Sequence, residues 1–219
     1  MEQFMTKEPF VFYSRLNLRE LTGERVYDLK GLLHALEQVP GAVIYHHTHH
    51  FLAQHLYLSP EPPNDFAYWV DEILNEHKLA EELASIDTVQ CSSIRQLREK
   101  IILTIANYLR TTTRNPQAPE GQEFYFIKTI TFIMPTGYIA HNLEEFNRIL
   151  SDITVQSIYF HIFEARMRLE KDENDFSFWI RTNIGDNDLA NEISKLDPYT
   201  YTIEGLRARM LKMIKNRLG

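Results

Sequence analysis

This chain is written twice, and a duplicated chain has few folds open to it. "NDFAYW" (Asn64 to Trp69) returns as "NDFSFW" (Asn174 to Trp179). Upstream, "VIYHHTHHF" returns as "SIYFHIFEA", which pairs Ile44 with Ile158, Tyr45 with Tyr159 and His47 with His161. "TGERVYDL" matches "TGYIAHNL", and Phe10 and Phe12 match Phe124 and Phe126. Downstream, "LAEELASID" matches "LANEISKLD", and "SIRQLREKIILTIANYL" matches "TIEGLRARMLKMIKNRL". Register shifts at two places, the proline-rich "LSPEPPND" and the vicinity of Cys91. Both are positions where loops accept insertions.

The pairing divides the chain into copy one (1–110), a linker (111–121) rich in Thr, Asn, Pro and Gly, and copy two (122–219). Each copy carries the same plan. An alternating apolar segment with aromatic and β-branched residues, "PFVFYSRLNL" or "EFYFIKTITFIM", reads as a strand. A Thr-Gly turn follows. A short helix begins near Asp28 or Asn142, both N-cap residue types. A second helix covers Val43 to Leu58, or Ser157 to Leu169. A third starts at Asn64-Asp65 or Asn174-Asp175, with the aspartates as caps and the asparagines as turn residues. A fourth covers Leu79 to Ile86, or Leu189 to Leu196, and a long amphipathic helix starts after Ser93 or Thr202. The expected fold is α+β and mostly α-helical: two tandem copies of one strand plus about five helices, related by pseudo-twofold symmetry. The two strands are expected to pair.

Composition excludes several classes. The formal net charge of -7 argues against a nucleic-acid or anionic-membrane surface, since both reward clustered Lys and Arg. No apolar run approaches the roughly 20 residues of a membrane helix. With one cysteine, Cys91, no internal disulfide forms, which points to a reducing, cytoplasmic setting. At 44% hydrophobic and 24% charged, the chain is that of a folded globular protein.

"YHHTHHFLAQHL" (Tyr45 to Leu56) holds five histidines, and the repeat sorts them. On a helical wheel of about 100° per residue, Ile44, Thr48, Phe51, Leu52 and His55 share the core face. His46 and His49 correspond to Phe160 and Phe163, so they read as aromatic-sized fillers of a half-buried or interface surface. His47 and His50 correspond to His161 and Glu164. Continuing their stripe at helical spacing gives His47, His50 and Gln54 in copy one and His161, Glu164 and Arg168 in copy two. A polar stripe on a mostly apolar helix must find partners.

Three readings follow. If the pseudo-twofold axis brings these helices together, His47, His50, His161 and Glu164 form a zinc or iron site. Otherwise each stripe lines a pocket for an anionic or sugar-like ligand, with Arg168 as its charged contact. The plainest reading is a buried polar network that fixes helix register. Phe66, Trp69, Phe176 and Trp179 read as core anchors, with an aromatic carbohydrate site as the alternative. Arg98 and Arg207 are expected to pair with the repeated Asp87 or Asp197. "SPEPPND" reads as a stiff loop beside the histidine helix, a lid or a partner contact.

Together "TGERVYDL", "IYHHTHHFLAQHLYLSPEPPNDFAYWV", "LASIDTVQ", "SIYFHIFEARMRLE" and "DPYTYTIEGLR" resemble an uncharacterised bacterial and archaeal family classed as a domain of unknown function. The resemblance covers nearly the whole chain and implies no activity and no site residues. The expected role is therefore a non-enzymatic binding or interaction module with its site between the copies, taking a protein or small-molecule ligand, as a monomer or homodimer. The rival is a metal-dependent enzyme built on His47, His50, His161 and Glu164.

Overall fold

The computed structural model describes residues 8–50, 64–88, 91, 93–165, 173–196 and 201–219, with only the backbone of His50. The architecture is α+β and mostly helical, with a sheet of two paired strands. Strand β1 (Phe10–Val26) leads to α1 (Leu29–Gln38) and α2 (Gly41–Tyr45), which continues as a π-helical turn, His46–His50. Then come α3 (Asp65–Glu72), α4 (His77–Ala84) and α5 (Ile94–Thr111). Strand β2 (Phe124–Ala140) leads to α6 (Leu143–Asp152) and α7 (Val155–Tyr159), continued as a π-helical turn, Phe160–Glu164. The chain closes with α8 (Asp175–Trp179) and its π-helical turn Ile180–Ile184, α9 (Asn187–Ser194) and α10 (Ile203–Leu218). Among the described residues, no helix is long and apolar enough to cross a membrane.

Helix starts follow local chemistry. The Asp28 side chain accepts from Gly31 N–H and that of Asn142 from Glu145 N–H, as the N-cap reading requires. Ser93 caps α5 and Thr202 caps α10 in the same way. The strands depart from expectation: neither ends at its Thr-Gly pair. Gly23 takes φ +85° and Gly137 φ +81°, a left-handed backbone that glycine adopts at little cost. Nothing lies within 4 Å of a Cβ built on either, so the requirement is conformational and not spatial. The strand continues through this glycine bulge, because the preceding threonine ties it to the neighbouring strand. Thr22 Oγ1 donates to Phe126 O at 2.8 Å, and Thr136 Oγ1 to Phe12 O at 2.7 Å.

The chain forms two compact units, and each strand changes unit midway. One unit holds residues 8–16 and 131–219; the other holds 17–50 and 64–130. The beginning of β1 therefore packs on the helices that follow β2. Phe10 and Phe12, both buried, meet edge-on at 4.7 Å, and each lies within 5.4 Å of the Phe146 ring. Phe10 also meets Trp179 at 5.6 Å. In the other unit, Phe124 meets Phe126 at 5.1 Å, Phe66 at 5.2 Å and Trp69 at 5.6 Å. Trp179 Nε1 donates to Glu8 O and Trp69 Nε1 to Gln122 O, so each buried indole is satisfied by the entry to a strand. Phe66, Trp69, Phe176 and Trp179, the four aromatic residues expected as core anchors, are all at most 5% exposed.

Two further expectations change. Where the repeated aspartates are expected, Arg98 and Arg207 bond backbone carbonyls at helix ends, and Arg207 also forms an ion pair with Glu204 at 2.8 Å, one turn earlier on its own helix. Arg98 donates to Val39 O at 2.7 Å, and Arg207 to Leu150 O and Ile153 O at 2.9 and 2.7 Å. Those carbonyls end α1 and α6, where a cation satisfies the orphan acceptors and the helix dipole. Asp197 lies outside the described residues. The segment 111–121, expected as a linker, is anchored: Ala118 N–H donates to Tyr27 O, and the Asn115 and Gln117 amides donate to Asp28.

Candidate functional site

The first turns of α3 and α8 divide their work between neighbours. Asn64 Oδ1 accepts from Ala67 N–H at 2.9 Å while its Nδ2 donates to Leu83 O at 3.1 Å. Asn174 does the same with Ser177 N–H and Ile193 O. The caps are thus the asparagines, not the aspartates as expected. Both asparagines are at most 2% exposed, and a buried cap facing both a donor and a carbonyl needs an amide, which offers both functions without a charge.

The aspartates are left to reach back to the histidine helices. His47 Nδ1 lies 2.8 Å from Asp65 Oδ2, and His47 Nε2 accepts the Ile127 N–H of β2 at 3.0 Å. His161 Nδ1 lies 2.8 Å from Asp175 Oδ2, and its Nε2 accepts the Tyr13 N–H of β1 at 2.8 Å. Each ring is a relay from a strand amide to the start of a helix. A nitrogen that accepts an amide proton carries none itself, so Nδ1 holds the ring proton and gives it to the carboxylate. Neither ring keeps a lone pair for a metal ion or for taking a substrate proton while both bonds stand.

The neighbouring histidines differ from their sequence reading. His46 and His49, expected on a half-buried surface, are 4% and 1% exposed. His46 Nδ1 bonds Thr129 Oγ1 at 2.7 Å, and His49 bonds Thr48 Oγ1 through Nδ1 and Thr88 O through Nε2. Four successive positions, His46, His47, Thr48 and His49, are all buried, so this π-helical turn is enclosed round most of its circumference and has no half-buried face.

Of the expected site residues, His47 belongs to the unit of 17–130, and His161 and Glu164 to the other. Glu164 forms an ion pair with the buried Arg15 of β1, whose guanidinium sits 4.2 Å above the Tyr159 ring. The His50 side chain, Gln54, His55 and Arg168 lie outside the described residues, as does most of the "SPEPPND" loop. One set of ligand-type atoms does lie together: His46, His47 and Asp65 each offer one within 4.8 Å of the others.

In the unit of 8–16 and 131–219 there is a pocket of about 560 Å³. Phe10, Tyr13, Phe160, Phe178 and Trp179 supply aromatic walls, and Glu8, His161, Asp175 and Asn183 the polar groups. The sequence reads Trp179 as a core anchor, with an aromatic carbohydrate site as the alternative, and Phe160 as the counterpart of His46 on a half-buried or interface surface; it does not announce this pocket. The missed signal was that the first strand serves the second set of helices, which no single copy reveals.

This mostly helical α+β fold is shared with OrfY from Thermoproteus tenax, whose solved structure is 28% identical in sequence. The two superpose with a TM-score of 0.81 over 97% of this chain and 96% of that one. The chain belongs to a family of unknown function, DUF5752, whose family model matches residues 7–215. No curated protein matches it. No activity is assigned by either relationship.

Proposed function

We propose that the chain is a non-enzymatic binding protein, built from two copies of one unit, with the aromatic pocket beside His161 as its site. The observation that carries this reading is the closure of the His161 ring. It lines the pocket, yet Tyr13 N–H holds one nitrogen and Asp175 the other. The dyad resembles a general base but keeps no free lone pair, and general-base chemistry needs one within reach of the substrate. The pocket volume lies within the range of small-molecule sites, roughly 300–1,000 Å³. The duplication is supported by bonds that recur position by position: the two relays, the two indole donors, the two asparagine caps and the two threonine ties between strands. A cytoplasmic setting accords with the buried, unpaired thiol of Cys91.

The test is a thermal-shift screen of the full chain against small molecules, repeated on Phe178→Glu. Hits that stabilise the parent and not the variant support the reading. A screen without hits, or hits indifferent to the variant, contradicts it.

The cluster of His46, His47 and Asp65 favours a second reading, a metal centre. Its weakness is His47, whose one lone pair is spent on Ile127 N–H. Metal analysis of protein purified without an affinity tag separates the two. The binding-protein reading expects no stoichiometric metal; one equivalent that is lost in His46→Ala establishes the metal centre instead.

A further inference from the structure

We infer that β2 docks a second copy of this chain through its run Phe132–Ile139, joining two protomers about a two-fold axis. Five of the eight side chains in this run are large, apolar and exposed: Phe132, Ile133, Met134, Tyr138 and Ile139, each by 40–51%. They fall within one compact unit, on a strand whose sole strand neighbour among the described residues is β1. No Asp, Glu, Lys or Arg occurs from Thr129 to Leu143.

The repeat provides an internal control. The matching stretch of β1 is also exposed, but it carries Arg19, Glu20, Glu24 and Arg25 where β2 has Ile133, Met134, Tyr138 and Ile139. Both strands continue through the same bulge at a glycine of positive φ. The backbone therefore forms with charges at these positions, and folding does not call for apolar residues there. Charged side chains are how a solvated edge strand is kept from associating. Their replacement in β2 marks a surface made to be covered.

Three considerations select a second copy as the cover. An uncharged run offers nothing to a charged partner and would strip its charges of water. The same run on another chain is an uncharged match, and a two-fold contact is self-complementary. An apolar patch left bare is an aggregation liability, so its cover must be present wherever the chain is, as another copy always is. The area also fits. Large side chains present up to about 150–250 Å² each, so five exposed by 40–51% offer roughly 400–500 Å² of apolar surface. A stable interface takes about 800 Å² from each partner, of which somewhat over half, roughly 450 Å², is apolar. Pro135 has no N–H to give a further strand, so the contact is made by side chains and not by extending the sheet.

The experiment is analytical ultracentrifugation of the full chain across the micromolar range, where the parent is expected to pass from monomer to dimer. Met134→Glu and Ile139→Arg install residues that β1 carries at the matched positions, and each enters the contact twice. Either is expected to weaken association by about tenfold or more, because it buries an unpaired charge. Ile133 is left unsubstituted because it also lines the pocket. Leu21→Glu alters an apolar residue on the matched stretch of β1 that is 67% exposed, and is expected to leave association unchanged. Hydrogen exchange of the parent needs no variant: amides of 132–139 should slow in concentrated relative to dilute protein. A parent that stays monomeric, a dimer indifferent to both variants or weakened as much by Leu21→Glu, or exchange at 132–139 that ignores concentration overturns the inference.

Discussion

The Nδ1 atom of His161 sits 2.8 Å from Asp175 Oδ2, and the same distance separates His47 Nδ1 from Asp65 Oδ2. Each histidine is buried, at 2% and 3% exposure, and each passes from its aspartate to a strand amide. A ring in this position connects three elements that only tertiary structure brings together. It specifies where the strand lies against the helices, because a shift of one residue would present a side chain where the amide now stands.

Replacing either ring with one that cannot bond tests this role. His161→Phe and His47→Phe preserve aromatic volume but leave a strand amide without its acceptor. Each is expected to lose about 1–3 kcal/mol of stability, the usual cost of orphaning a buried polar group. Urea denaturation of the full chain measures it. Unchanged midpoints would show that the relays carry no structural load.

The exchange of strand halves predicts a spatially selective effect. Phe12 is fully buried against Phe146 in the unit that contains α6 to α10. Phe12→Ala is expected to cost about 3–5 kcal/mol, and hydrogen exchange should accelerate at residues 143–214 more than at 29–111. Faster exchange confined to 29–111, the residues of its own sequence half, would refute the exchanged arrangement.

Asp28 predicts a pH dependence. Burial pushes its carboxyl up, but hydrogen bonds from Gly31 N–H, Gln117 and Asn115 outweigh that and leave it below the ordinary 3.8. A carboxyl lowered by folding contributes stability above its unfolded value and loses it as pH falls through the folded one. Asp28→Asn keeps an acceptor for the cap and removes the charge. The stability difference between parent and variant should therefore be largest near neutrality and shrink as pH falls through the acid range. Equilibrium denaturation across that range checks it, and a constant difference would contradict the assignment.

Much of this architecture was legible from residues alone because caps and repeats are local. Asp28, Asn142, Ser93 and Thr202 begin their helices as their chemistry dictates. Where reading failed, a tertiary partner had intervened. Gly23 and Gly137 suggested turns, but Thr22 and Thr136 bond across to the paired strand and carry it onward. Asp65 and Asp175 suggested caps until the histidines claimed them. The helical wheel misplaced His46 and His49 because it assumed a single buried face, whereas His46, His47, Thr48 and His49 are buried one after another. The pocket was hidden most deeply, since its walls come from Tyr13 on one strand and Phe178 on a helix far along the chain.

The central claim is that His47 and His161 are neutral structural relays and not ligands or bases. Long-range ¹H–¹⁵N correlation spectroscopy of the imidazole rings tests it most directly, with and without added zinc. The relays predict that both rings carry their proton on Nδ1 and that neither pattern changes when zinc is added. A proton on Nε2, or a zinc-induced shift of either ring's nitrogens, would contradict the account.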